Sequence, residues 1–361
     1  MKKIAFVIGT MGNGGAERVI AAISNEMIKK NIKIKIITIY GRKQDYPLNT
    51  LIELHPILCK NKIRVLRPFE RFKKIRKEIV EFSPDCIISF LADVNIHTII
   101  ASNGLHIPLI VCERNDPKQD PEKKWERKLR DILYKKADAF TFQTDEAADY
   151  FKKIIPRNKK RIIIQNPLTP GLPVFSYNSN TKRLITACRL NPQKNLKMMI
   201  DAVSDVHNMG VTCTLDIFGE GPMREELQQY INEKGLQEII KLRGFSHNIH
   251  EEMLRSVAFI ISSDYEGISN SMIEALAIGM PVIATDCPVG GARMYIDNNK
   301  TGWLVPVGDR DAFASAIMDV LSNPNKAVLL GQRAMQIRNE LDVKKITDQW
   351  IRFIKSVIEG K

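Results

Sequence analysis

AFIISSDYEGISNSMIEALAIGMPVIATD, residues 258–286, is the stretch on which the fold turns. It opens on an apolar run of strand length, AFIISS (258–263), and crosses a polar loop. It then enters an apolar helical pattern and closes on a second strand-like run, PVIATD (281–286). Ser269 or Asn270 caps the helix start, because a short polar side chain there accepts from the first unbonded N–H groups. Strand, helix and strand at this spacing make a crossover unit of a parallel sheet. Two acids stand out in it. Glu266 sits in the polar loop, and Glu274 sits beside Ile273, Ala275, Leu276 and Ala277, where a solvated helix face does not explain a carboxylate.

The same alternation extends in both directions. Strand candidates KIAFVIG (3–9), IKIKIITIY (32–40), DCIISFL (85–91), PLIVCE (108–113), AFTFQT (139–144) and RIIIQN (161–166) alternate with helical patterns at 16–30, 69–82, 121–136 and 145–154. NPLTPGLPVFSYNSNT (166–181), with three prolines, reads as a linker. The series restarts with RLITACRL (183–190), TCTLDIFG (212–219), KLRGF (241–245) and, beyond the opening unit, TGWLVPV (301–307). Helices are expected at 195–209, 222–234, 309–322 and about 326–340. The last segment, 343–360, is amphipathic, with Ile346, Trp350, Phe353, Ile354 and Val357 on one stripe. The expectation is an α/β chain of two Rossmann-like doubly wound domains facing a cleft, with ligands beyond the carboxyl ends of the strands.

The chain has 361 residues, 44 % hydrophobic and 26 % charged, which suits two soluble globular domains. No run approaches ~18 apolar residues, so no transmembrane helix is expected. MKKIAFVIGTMG is better read as a first strand than as a signal peptide. Six scattered cysteines, with no C-x-x-C pair, suggest neither zinc nor a disulfide framework and fit a reducing cytosol. Charge is uneven. Residues 1–170 hold 33 Lys and Arg against 19 Asp and Glu, whereas residues 171–361 hold 21 against 22. An excess of that kind points to an anionic partner of the first half, such as a phosphorylated substrate, membrane surface or nucleic acid.

Four segments carry chemistry. GTMGNGGAERV (9–19) is a glycine-rich turn between strand and helix, where backbone can approach an anion. It does not fit G-x-G-x-x-G, and the second strand ends in Tyr40-Gly41-Arg42-Lys43 without an acid for a ribose. RLNPQKN (189–195) sets Arg189 and Lys194 five residues apart on a strand-to-helix loop, which suits a diphosphate. FGEGP (218–222) offers Gly219 and Gly221 for close approach and Pro222 for a first helical position. In the opening stretch the helix start can hold a phosphate, and the two carboxylates, being acceptors, suit hydroxyl-rich groups such as ribose or hexose. Taken singly, each segment also reads as ordinary turn, loop or cap chemistry.

In this order the four segments resemble the retaining glycosyltransferases of family 4, with the GT-B fold, over essentially the whole chain. Glu266 and Glu274 match that family's E-x7-E signature and Arg189 and Lys194 its R-x4-K pair. The resemblance implies that residues 1–168, with a last helix (343–361) crossing back, form the acceptor-binding domain, and residues 169–342 the nucleotide-sugar-binding domain. It implies that Arg189 and Lys194 stabilise the leaving diphosphate, that Glu266 contacts hydroxyls of the donor sugar, and that Glu274 binds the ribose. Gly267, Ile268, Ser269 and Asn270, with Gly219, would line the phosphates and sugar. Gly14 and Gly15 would approach the diphosphate across the cleft. Transfer would proceed with retention, without metal or cofactor, from a donor that the family's usual preference makes a UDP-sugar. One departure is clear: Glu113-Arg114-Asn115-Asp116 occupies the loop where many members carry a sugar-contacting histidine, leaving His97 or Arg114 as substitutes.

SFLADVN (89–95) and CERND (112–116) are similar to segments of a bacterial subgroup that builds surface polysaccharides and lipid-linked oligosaccharides on polyprenyl diphosphates. The basic amphipathic segment 60–82 holds nine Lys and Arg among apolar residues, a pattern suited to an anionic membrane surface or lipid phosphate. Arg71, Lys73, Lys74, Lys77 and Arg114 are therefore candidates for a lipid-linked acceptor at the cytoplasmic face of the membrane. The alternatives are another GT-B enzyme, namely a phosphorylase or a sugar-nucleotide hydrolase or epimerase, and a basic nucleic-acid-binding protein. The last leaves both glutamates unexplained.

Overall fold

Short apolar runs buried on both faces build the strands, as a parallel sheet covered by helices requires. The computed structural model describes residues 1–361 except 13, 60–62, 64, 65, 179 and 361, so Lys60, Lys62 and Arg64 of the basic segment lie outside the described residues. The chain divides into two compact units, Met1–Pro167 with Leu341–Lys361, and Leu168–Glu340.

In the first unit the elements are β1 (Lys3–Ile8), α1 (Gly15–Lys29), β2 (Lys33–Thr38), β3 (Glu53–Pro56), α2 (Arg67–Phe82), β4 (Cys86–Phe90) and α3 (Ala92–Ser102). They continue with β5 (Leu109–Cys112), α4 (Lys124–Tyr134), β6 (Ala139–Phe142), α5 (Asp145–Tyr150) and β7 (Lys160–Ile163). The second unit holds β8 (Arg183–Ala187), α6 (Leu196–Asn208), β9 (Thr214–Phe218), α7 (Arg224–Glu233), β10 (Ile240–Gly244), α8 (Ile249–Leu254), β11 (Ala258–Ile261) and α9 (Asn270–Ile278). It ends with β12 (Val282–Thr285), β13 (Trp303–Val305), α10 (Arg310–Ser322), α11 (Pro324–Ala334) and α12 (Ile337–Glu340). The final helix, α13 (Val343–Glu359), belongs to the first unit. There it packs on α1, and Trp350 stacks on Phe90 with ring centroids 5.8 Å apart.

Both sheets are wholly parallel among the described strands. Their orders are β3-β2-β1-β4-β5-β6-β7 and β10-β9-β8-β11-β12-β13. Each order reverses once, between β1 and β4 and between β8 and β11. Loops leaving such a pair diverge to opposite sides and open a crevice at the carboxyl ends. These are two Rossmann-like, doubly wound sheets, as the strand and helix alternation leads one to expect.

Three elements were not legible in the sequence. β3 is an edge strand whose residues are exposed or half-buried, so it shows no apolar run. Helix α3 buries Ala92, Val94, Asn95, Ile96, Thr98, Ile99 and Ala101, so no polar face marks a 3.6-residue period. At six residues, α8 is too short for periodicity to register. The helix expected at 326–340 is broken, with α11 ending at Ala334 and α12 starting at Ile337.

Candidate active site

The reversal between β8 and β11 brings together the loops that follow these two strands. One loop holds Arg189 and Lys194, the other Glu266. Five hydrogen bonds stitch them. Asp264 N donates to Gln193 O (2.9 Å), Gln193 Nε2 to Tyr265 O (2.7 Å) and Asn195 Nδ2 to Asp264 Oδ1 (2.7 Å). Ser262 Oγ donates to the carbonyls of Lys194 (2.8 Å) and Asn195 (3.1 Å). On this frame Lys194 Nζ pairs with Glu266 Oε2, which also accepts from Ser263 Oγ at 3.3 Å. Burial works against the Lys194 charge, but the Glu266 carboxylate outweighs it and the ammonium is held above its ordinary pKa. Lys194 is therefore a cation throughout the physiological range. Arg189, by contrast, is exposed and has no side-chain partner among the described residues.

Helix α9 starts at this crevice. Ser269 caps it, accepting from Met272 N at 3.4 Å, and Gly279 closes it in the left-handed conformation at φ 86°. Gly267, Ile268 and Ser269 are buried and Asn270 is half-buried at the helix start. Glu274 lies one turn further on, only 4 % exposed. Its Oε1 accepts from Thr169 Oγ1 at 2.5 Å, and its Oε2 lies 3.1 Å from His250 Nε2 on α8. Burial of a carboxylate is tolerated only with such partners. Neither Thr169 nor His250 carried a signal in the sequence, since one lies among the linker prolines and the other sits on the helix that had no periodicity.

Three glycines of these loops lie directly against backbone. A Cβ on Gly219, at φ 127°, would meet Cys188 O at 1.8 Å, and one on Gly221 would meet Leu190 O at 2.2 Å. FGEGP thus lies against the segment that presents Arg189, and Leu190 N donates to Glu220 O at 3.0 Å. A Cβ on Gly291 would meet Gly267 O at 1.6 Å, so the loop after β12 supports the one bearing Glu266. Gly291 was not singled out in the sequence; the adjacent Gly290-Gly291 pair is the trace that could have marked this contact.

In the first unit, Gly14 is the N-cap of α1 and Gly15 its first residue. The Glu17 carboxylate folds back over this turn, with Oε2 2.1 Å from where a Gly14 Cβ would stand. Arg71 is already engaged. Its Nε donates to Ile39 O (3.1 Å), its Nη1 lies 3.2 Å from His97 Nε2, and its guanidinium covers the Tyr40 ring. His97 Nδ1 is 2.8 Å from Asp93 O, so Nδ1 donates and Nε2 accepts; burial holds its pKa down, keeping the ring neutral. Lys74 is bound to Leu58 O and Glu70, and Lys77 lies 3.6 Å from Glu81 with both side chains exposed. Lys73 is exposed.

SFLADVN and CERND meet in one buried network. Ser89 Oγ donates to Asn95 Oδ1 (2.5 Å), and Asn95 Nδ2 donates to Cys112 O and to the Tyr134 hydroxyl. Tyr134 in turn donates to Glu113. Burial pushes the Glu113 carboxyl up to about 7. Arg114 lies over Phe90, 4.4 Å from the ring centroid, and donates to Asn166 Oδ1 at 3.1 Å.

Residues 174–337 match the family described as glycosyl transferases group 1, and residues 13–169 match Glycosyltransferase Family 4. The chain belongs to the family 4 glycosyltransferases. One relative of this transferase, from Campylobacter jejuni, is GalNAc-α-(1→4)-GalNAc-α-(1→3)-diNAcBac-PP-undecaprenol α-1,4-N-acetyl-D-galactosaminyltransferase. It is 26 % identical, over 99 % of each chain. A second from the same organism acts on N-acetylgalactosamine-N,N'-diacetylbacillosaminyl-diphospho-undecaprenol, and is 24 % identical over 98 % of this chain and all of that one. The structure of Anabaena HepE in complex with UDP and glucose superposes with a TM-score of 0.82 over 99 % of the transferase and 100 % of HepE, at 19 % identity. The relatives favour transfer over the phosphorylase, hydrolase or epimerase, and nucleic-acid readings.

Proposed function

We propose that this transferase moves a hexose or N-acetylhexosamine from a UDP-sugar to a sugar acceptor carried on a polyprenyl diphosphate, with retention, in bacterial surface glycan assembly. The meeting of Arg189, Lys194, Glu266 and the α9 start at one topological switch point carries the reading. Two relatives that span the chain and act on diphospho-undecaprenol acceptors support the acceptor class. HepE with UDP and glucose supports the donor class.

The chemistry follows from charge. As the bond from the anomeric carbon to phosphate breaks, negative charge grows on the diphosphate. Arg189, Lys194 and the N–H groups opening α9 stabilise it, so the reading calls for no metal or cofactor. The leaving phosphate oxygen takes the acceptor hydroxyl's proton on the same face, which retains configuration. Glu266 accepts from the donor sugar's hydroxyls and Glu274 from the ribose; neither acts as a nucleophile. The first unit takes the acceptor at the cytoplasmic face of the membrane. There, Lys73 and Lys77 are exposed cations of α2 open to an anionic surface, and no described helix is long and apolar enough to cross it.

Incubation with UDP-sugars and an undecaprenyl-diphosphate-linked sugar, with and without chelator, tests the proposal. A lipid-linked product with the donor's anomeric configuration, formed equally in both, is expected. An inverted anomer or hydrolysis alone would refute it.

A further inference from the structure

Glu274 is held from two directions by residues far away in sequence. Thr169 Oγ1 donates to one carboxylate oxygen at 2.5 Å, and His250 Nε2 stands 3.1 Å from the other. A helix fixes only the origin of a glutamate side chain. Three rotatable bonds separate the carboxylate from the backbone, and each can take several staggered or broad wells. A hydrogen bond at one oxygen, from the segment before β8, and a close approach at the other, from α8, confine the plane as well as the position of the group.

We infer that Thr169 and His250 are positioning residues that orient Glu274 for the ribose diol, and that ribose selectivity of this transferase depends on both. The inference rests on the reading of Glu274 as the ribose acceptor and adds what aims it. Hydrogen bonds to two adjacent hydroxyls demand a carboxylate plane fixed to within 10–20°. A carboxylate released from one partner would still bind one hydroxyl and lose preference for the pair.

The test is calorimetric titration of the full chain with UDP and with 2'-deoxy-UDP. The wild type should prefer UDP by about tenfold or more, the loss expected when a buried acceptor is left without its hydroxyl. Thr169→Val and His250→Ala should weaken UDP about tenfold while leaving 2'-deoxy-UDP within about twofold, so the preference collapses. Thr169→Ser, which keeps the hydroxyl, and His250→Gln, which keeps a donor, should restore most of it. Melting temperatures identify variants that merely unfold, for which the Ser and Gln forms decide. Unchanged UDP preference in Thr169→Val and His250→Ala, with Glu274→Ala impaired, overturns the inference and spares the ribose reading. Unchanged UDP affinity in Glu274→Ala overturns that reading and the inference with it.

Discussion

Replacing Lys194 separates what the Lys194–Glu266 pair contributes to folding from what it contributes to transfer. The side chains are 11 % and 20 % exposed, so screening by solvent is limited. Removing one partner of a buried pair costs about 3–5 kcal/mol, because the other charge stays buried. Here Ser263 still donates to Glu266 and the acid retains some solvent, which brings the expected cost of Lys194→Met to roughly 2–3 kcal/mol. Lys194→Met with Glu266→Gln leaves no orphaned charge and should be more stable than the two single losses combined, with a coupling of about 1–2 kcal/mol. Turnover should behave differently. Loss of Lys194 removes charge facing the leaving diphosphate and should lower kcat on the order of 10²- to 10³-fold, without rescue in the double variant. Urea unfolding at constant m-value gives the first quantity, and steady-state kinetics with a UDP-sugar gives the second. Near-wild-type turnover in Lys194→Met, or full recovery in the double variant, would refute the assignment of Lys194 to the leaving group. A coupling under about 0.5 kcal/mol would make the pair incidental.

Gly291→Ala, which drives a methyl into Gly267 O, should cost more than about 1 kcal/mol and weaken UDP-sugar binding, whereas Gly308→Ala, with nothing within 4 Å, should bear only its backbone strain; thermal unfolding and titration compare them. The Glu113 carboxyl, raised from 4.5 to about 7, binds its proton more tightly when folded. Its contribution is therefore complete below about pH 4.5 and lost as pH rises through 7, on the order of 3 kcal/mol. Glu113→Gln should flatten that fall, only in part because Asp120, raised to about 6, has the same sign; urea midpoints across pH 5–8 check it. Charge reversal at Lys73 and Lys77 should reduce sedimentation with anionic vesicles while leaving the melting temperature within about 1 °C, whereas reversal at Arg71 should lower it by several degrees, because that guanidinium braces Ile39 and His97.

Most strands and crossover units, and the two acids, could be read from the sequence because each leaves a local trace: an apolar run, a helical stripe, a carboxylate among aliphatic residues. What aims the acids left none. Thr169 and Glu274 are 105 residues apart, and the Lys194–Glu266 contact spans 72. Such pairings follow from strand order, which periodicity does not encode. Gly219 was legible as a place of close approach, but not what approaches, and Gly291 was not singled out at all. For Gly219 and Gly291 the neighbour is the backbone of an adjacent site loop, so these residues act through their neighbours' positions.

The charge asymmetry needs the structure to be interpreted. With the last helix included, the first unit holds 38 Lys and Arg against 22 Asp and Glu, and the second 16 against 19. Counting alone would make α2 a uniformly basic face. The structure spends its cations unequally: Arg76 binds the carbonyls of Ala101 and Asn103, Lys74 binds Leu58 O, and Arg71 binds Ile39 O. Each such bond fixes a neighbouring helix end or loop, and a guanidinium so engaged has few donors left for a phosphate. The surface field of the unit still sums over all its charges, since a hydrogen bond to a carbonyl leaves a cation's charge intact. Long-range attraction to an anionic surface therefore tracks the whole excess, whereas contact with a phosphate falls to exposed side chains such as Lys73. The two should separate with salt. Raising ionic strength from ~0.05 to ~0.5 M shrinks the screening length to a few ångströms and should abolish the first while only weakening the second.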